Sequence, residues 1–419
     1  MSQLSSGGWD ERHTALSVCV GSYFAVRLAQ LLVSPVVPSL RETFGVTSGT
    51  VGAVLTGMWL VYAVTQLPSG AAGDRYGPRR VVLAALACTA VGAVALAAAP
   101  SLLAFAAFAL LLGAGAGLYY TPATALLTDR FDATGGVIGV HRVGGQVAGL
   151  AAPVLATLLG ARFGWRGVVG SGALVAAALV AVVVAGREGE RPTATTDGGR
   201  TVDPRALVGV LSRPPVAFAV FLAVVGEFAA LATVSLLPVF LVDHHGLSMA
   251  RAGLLFSAYF VVVAAFQPVS GRASDLVGRE TVVAVLFAAG AAGYATLALT
   301  TRLALAAPAV ALVGAAMAWG PPVQSRAVDA LADAERGVGF GLFRTGYILL
   351  GALGPLVVGS TADAAGWAVA VGLLAGLLGL TAAVLVLDRL VARKRRPLGS
   401  SAFGLFVAAQ DGDGGGGPA

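Results

Sequence analysis

Long uncharged apolar runs recur from one end of this chain to the other, and they leave it few folds to choose from. The run 102–127, "LLAFAAFALLLGAGAGLYYTPATALL", contains no charged residue. A helix of that length exceeds the roughly 30 Å of a bilayer's hydrocarbon core. Twelve long apolar runs, each with at most one charged residue, can be counted, at 14–38, 49–69, 81–99, 102–127, 136–160, 167–185, 215–241, 250–270, 281–299, 303–325, 338–361 and 367–388. In hydrocarbon, backbone N–H and C=O groups must be satisfied within each segment, so the runs are read as transmembrane helices. Their continuity speaks against a β-barrel, whose strands alternate apolar and polar residues. Only 11% of the 419 residues are charged, against roughly 25% in a soluble domain. The fold class expected is an all-α polytopic membrane protein. The first run is too long, and too weakly preceded by positive charge, for a cleaved signal peptide.

The net charge of +6 invites a nucleic-acid reading, but the positions of the basic residues do not support one. They gather in alternate connections and tails: Arg75, Arg79 and Arg80; Arg187, Arg191 and Arg200; Arg272 and Arg279; Arg389 and Arg393 to Arg396. The positive-inside rule then puts both termini in the cytoplasm of a cell-membrane protein. The partners expected are a lipid bilayer, a small-molecule substrate and protons, with no nucleic acid, and the chain is expected to be a monomer. Cys19 and Cys88 fall inside spans and read as packing residues. The one lysine, Lys394, lies in the tail, so no phosphate-binding GxxxxGK[ST] loop exists; HExxH and CxxC are absent too. His244 and His245 are too few for a metal site. No enzyme, cofactor, metal or catalytic residue is expected.

The chain is written twice. "SGAAGDRYG" returns as "SGRASDLVG", matching Asp74 with Asp275 and Gly77 with Gly278. Later, one offset of 202 pairs Arg142 with Arg344, Gly144 with Gly346, Gly149 with Gly351, Pro153 with Pro355, Gly164 with Gly366 and Trp165 with Trp367. The organisation read from this is a tail (1–13), a six-helix bundle (14–185), a linker (186–214), a second bundle (215–388) and a tail (389–419). An even number of spans per half keeps the two bundles parallel, related by an axis along the membrane normal. The linker, rich in Arg, Gly, Thr and Pro, is expected to carry a short surface helix. The ending "DGDGGGGPA" has the composition of disordered chain.

These features together resemble the major facilitator superfamily. "GAAGDRYGPRR", Gly70 to Arg80, is similar to that family's signature loop between helices 2 and 3. Gly271, Asp275, Gly278 and Arg279 resemble its degenerate copy between helices 8 and 9. Pro78 stands where the family usually has Arg, and Leu276 replaces the first-copy Arg75. The resemblance implies the major facilitator fold, two pseudo-symmetric six-helix bundles, with Gly70, Asp74, Arg75, Gly77, Arg79, Arg80 and the second-copy residues as conformational gate loops. Gly70 is expected to let two helices approach closely and Gly77 to permit a tight turn. Asp74 is expected to face the positive N-terminal end of a neighbouring helix. By resemblance this is the eleventh, near Gly337, and the contact forms when the cytoplasmic side closes.

Charges inside the spans are costly and mark function by default. Tyr23, Arg27, Gln30 and Ser34 share one face of the first helix, a stripe read as lining a water-filled cavity. In the family, helices 1, 4, 7 and 10 line the central path. Glu227 is the one acid deep within a span, and aligning Pro38 with Pro238 sets it at the depth of Arg27. It reads as a proton carrier or as the ion-pair partner of Arg27. His141 can titrate near neutral pH, or it is a packing residue. Arg142 and Arg344 fall on helices that meet at the seam between halves in the family. Three arginines against one Glu favour an anionic substrate or an arginine-held gate. Tyr119, Tyr120, Trp319 and Gln324 read as ligand contacts or as packing beside Pro122 and Pro321. "GALGPLVVG", at 351–359, resembles a Gly-Pro pattern of antiporters that the family carries on helix 5. The function expected is secondary active transport of a small organic solute by alternating access, as proton-coupled efflux. The alternatives are organic-anion uptake or exchange, and a non-transporting membrane sensor or scaffold.

Overall fold

The structure, a computed structural model, describes residues 6–131, 134–186, 209, 212–331 and 336–395. Most of the 186–214 linker, with its expected surface helix, and the chain beyond 395 lie outside the described residues. All twelve expected spans are helices. They are α1 (Arg12–Phe44), α2 (Ser48–Tyr76), α3 (Pro78–Ala97) and α4 (Leu102–Thr128). Next, Thr134–Ala185 is broken at Gly164 (φ 61°, ψ −173°) into α5 (134–163) and α6 (165–185). The second half holds α7 (Pro214–Asp243), α8 (Met249–Val277), α9 (Arg279–Leu299), α10 (Leu303–Asp329), α11 (Gly339–Ala365) and α12 (Trp367–Val391). Helical geometry continues to Arg395.

Local chemistry explains the boundaries. Side chains of Thr47, Ser101 and Ser248 accept the backbone N–H of Thr50, Ala104 and Arg251, capping α2, α4 and α8. Pro78 and Pro214 occupy first turns, where no N–H is needed. The duplication is visible in the backbone itself. Positive-φ glycines come in matched pairs: Gly45 and Gly246 (62° and 65°), Gly77 and Gly278 (both 89°), Gly164 and Gly366 (61° and 87°). The paired tryptophans repeat too. Trp165 Nε1 donates to Thr43 Oγ1 at 3.0 Å, and Trp367 Nε1 to Asp243 Oδ2 at 3.2 Å.

Within each bundle, α3 packs on α4 and α9 on α10, while between bundles α2 meets α11 and α5 meets α8. The end at which α1 begins and α12 finishes is here the proximal end and the opposite one the distal end. The distal end is sealed across the halves. Arg41 forms an ion pair with Asp243. Ser34 Oγ donates to the Ser235 carbonyl at 3.1 Å, and Trp59 Nε1 to Ser235 Oγ at 3.2 Å. On the other seam Ser257 Oγ donates to the Leu150 carbonyl at 3.0 Å.

Small residues bring the backbones together. A Cβ at Gly113 of α4 would overlap the Met58 carbonyl of α2, whereas one at Gly376 of α12 would meet nothing within 4 Å. Gly113→Leu is therefore expected to destabilise the protein by about 1–3 kcal/mol through overpacking, with Gly376→Leu near neutral. Thermal unfolding in detergent reads the difference, and equal midpoints would contradict the packing.

Candidate functional site

Half-buried polar side chains converge between the bundles at mid-depth. From α1, Arg27 donates through Nη1 to Gln30 Oε1 at 3.0 Å, one turn along the same face. Its guanidinium also lies 5.3 Å from the Trp59 ring of α2. Gln30 is buried, and its Nε2 has no partner among the described residues. The Arg27–Glu227 ion pair allowed for above is not formed. Arg27 is occupied by Gln30 and the indole face, and Glu227 makes no ion pair among the described residues.

Glu227 lies instead against α11. A Cβ at Gly351 would come within 2.7 Å of the Glu227 Cβ, so glycine here leaves room for the root of the Glu227 side chain. One residue further on, at 352–353, the helix breaks before restarting at Gly354. Of the arginines acting electrostatically on Glu227, Arg344 is the strongest, followed by Arg27 and Arg142.

Arg344 crosses between the halves. Its guanidinium sits 4.1 Å from the Tyr120 ring of α4, while Nε has no partner among the described residues. Stacking on an aromatic face while leaving donors open is a guanidinium property that lysine lacks. Tyr347, Tyr62 and Tyr23 complete its surroundings. Arg142, its duplicate on α5, acts on Tyr120 from the other half.

His141 is fully buried. Tyr119 donates its hydroxyl hydrogen to the Cys19 carbonyl at 2.6 Å, and His141 Nε2 lies 3.1 Å from the same oxygen. Since that hydrogen is spent, Nε2 is the donor of the second bond. Tyr23 completes the cluster, with its ring 4.9 Å from His141, 5.9 Å from Tyr119 and 5.7 Å from Tyr120. Trp319 packs on Gly226 and meets Tyr347 at 5.8 Å. Gln324, on α10, is half-buried and joins the cluster by no hydrogen bond among the described residues. Trp59, Tyr62 and Tyr347 were missed in the sequence. Tyr62 is three residues beyond Trp59, on the same face of α2, and that spacing was the available signal.

The signature loops sit at the proximal end. Gly77 and Gly278 make the turns expected of them. Gly70 does not mark an unusually close approach: a Cβ there would lie 3.5 Å from Thr121, an ordinary contact. Gly271 likewise faces Pro321 at 3.6 Å. Asp74 and Asp275 are exposed, and Asp74 makes no ion pair among the described residues. Arg75 lies over Tyr76, and Arg80 is exposed. Arg79 donates to the carbonyls of Val183 and Gly186, and Arg279 pairs with Asp329. The last two contacts stay within a bundle, so they brace each loop against its own half.

This geometry makes a measurable distinction. In a double-mutant cycle on thermal stability, Arg27→Gln and Glu227→Gln should be additive within about 0.5 kcal/mol. Arg344→Gln and Glu227→Gln should couple more strongly. The reverse order would show that Glu227 belongs to Arg27.

A family model described as Major Facilitator Superfamily matches residues 19–252 and 223–409. A probable sulfoacetate transporter of Cupriavidus necator is 28% identical over 161 residues, 37% of this chain and 36% of its own length. A multidrug resistance protein B homolog of Mycobacterium tuberculosis is 29% identical over 174 residues, 39% of this chain and 32% of its own length. The matches thus span about a third of these relatives. Among solved structures, a nucleoside transporter superposes with a TM-score of 0.76 at 16% identity, covering 89% of this chain and 99% of that one.

Proposed function

Because the chain belongs to the Major Facilitator Superfamily, and so is a secondary membrane transporter rather than an enzyme, we propose that its cargo is a small organic anion moved together with a proton. The observation that carries this reading is the mid-depth cluster, where three arginines from three helices act electrostatically on one carboxylate that forms no ion pair among the described residues. An anion entering the cluster competes with ionised Glu227 for the same guanidinium groups. Protonating Glu227 removes that competition. One unit charge at roughly 8 Å and an effective dielectric near 20 contributes about 2 kcal/mol, or about 30-fold in affinity. Proton and anion therefore favour each other's binding and travel in one direction. The protein would lie in the cell membrane with both termini in the cytoplasm.

The second reading is efflux in exchange for protons, and the similarity to the multidrug resistance homolog favours it. One experiment separates the two. Purified protein in liposomes is given an imposed pH gradient and a panel of carboxylates, sulfonates and cationic drugs. Solute flux and internal pH are recorded together. Anion entry with internal acidification supports symport; cation movement opposed to protons supports efflux and sinks the anion reading.

A further inference from the structure

At the distal seam between α2 and α11 an acid bridges the two helices. Asp363 lies in the last turn of α11, and its two oxygens accept the backbone N–H of Ser48 (3.1 Å) and Gly49 (2.6 Å). These are the first N–H groups of α2, which have no acceptor inside the helix and carry the positive end of its dipole. The packing around them is backbone on backbone. A Cβ at Gly52 would overlap the Pro355 carbonyl, and one at Gly359 would press on the carbonyl of Ser48. Leu356 N–H, in the first turn after the break in α11, donates to Thr56 Oγ1 at 3.1 Å. The Gly-Pro stretch 351–359 thus shapes the distal seam.

The proximal end of the same helix pair carries the inverse arrangement. There the acid is Asp74, in the last turn of α2, exposed and without an ion pair among the described residues. An acid in a last turn is unfavourable for its own helix, so both residues sit where only a neighbouring helix start rewards them. The duplicated seam supplies an internal control. The counterpart of Asp363 on α5, at the offset relating Arg142 to Arg344, is Ala161. Among the described residues the contacts of that seam are neutral, Ser257 to the Leu150 carbonyl and Gly253 beside Pro153. The fold does not require an acid there to bring two helices together.

We propose that Asp363 is a conformational latch, which holds the distal end shut in this state and releases when Asp74 engages the start of α11. The two acids, at opposite ends of one helix pair, are engaged alternately as the transporter cycles. Specificity for the cargo plays no part in the latch, so it stands or falls separately from the anion reading.

The test uses the full chain in liposomes, with Cys19→Ala and Cys88→Ala removing the native thiols. Spin labels at Pro100→Cys and Thr301→Cys report the separation of exposed distal loops on the two halves. In Asp363→Ala the open-to-closed ratio read by pulsed EPR should rise roughly 2- to 30-fold, the change expected for loss of a helix cap. Asp363→Asn, which keeps the size and one acceptor, should give a smaller rise and serves if the alanine variant does not fold. Asp74→Asn should lower the ratio. Parental distances in both folded Asp363 variants, or a shift in the same direction for Asp74→Asn, would overturn the latch.

Discussion

Glu227→Gln is expected to abolish accumulation of substrate against a pH gradient while leaving substrate exchange across the membrane intact. The glutamine has the shape of the protonated acid and the same seat against Gly351, so the protein should still bind and still alternate. What it loses is the ability to give up a proton. The parent's affinity for the anion should weaken as rising pH ionises Glu227, because the new negative charge draws on Arg344, Arg27 and Arg142. The variant should hold the parent's low-pH affinity at every pH, a difference of about 30-fold at the alkaline end. Equilibrium binding across pH, beside counterflow and gradient-driven uptake in liposomes, reads all three quantities. Uphill transport that survives in the variant would place the coupling proton on another group.

Arg344→Ala should weaken anion binding roughly 10- to 150-fold, the range given by about 1.5–3 kcal/mol for a hydrogen bond to a charged group. Arg344→Lys should fall between alanine and parent. The ammonium keeps the charge but loses the planar stack on Tyr120 and the fixed fork of donors. Tyr120→Phe provides the matching control, since it keeps the ring under Arg344 and removes only the hydroxyl. Isothermal titration with the best anion from the liposome panel measures each change. Arginine-independent affinity, with alanine, lysine and parent alike, would remove Arg344 from the binding site and leave it as a strut between the halves.

The two predictions draw on different levels of the molecule. That charged groups at mid-membrane matter was visible in the chain, because hydrocarbon tolerates them only where they are used. Which charge answers to which was not visible. Matching depth suggested Arg27 with Glu227, but depth leaves open the direction in which each side chain leaves its helix. Gln30, one turn beyond Arg27, and the Trp59 ring take the guanidinium, and Glu227 turns to the glycine-lined face of α11. His141 reads in the chain as a titratable group beside Arg142. In the fold it is buried against Tyr119 and Tyr23, and what separates Arg142 from its duplicate Arg344 is the contact with Tyr120.

By itself the sequence determined the membrane habitat, the twelve helices, the duplication and the two signature turns. Each of these rests on local physics. A long apolar run must be helical where no water can satisfy its backbone, and a glycine at φ near 89° ends a helix in the same way in both copies. Only the tertiary structure decided which end is sealed, how the arginines and tyrosines meet, and what Asp363 holds. Asp363 and the start of α2 are more than 300 positions apart, and they meet because glycines at 52 and 359 let two backbones touch. An acid in the negative last turn of its own helix hints that its partner lies elsewhere, but the identity of that partner depends on the rotation and separation of two packed helices, which the hydropathy pattern along one chain does not encode.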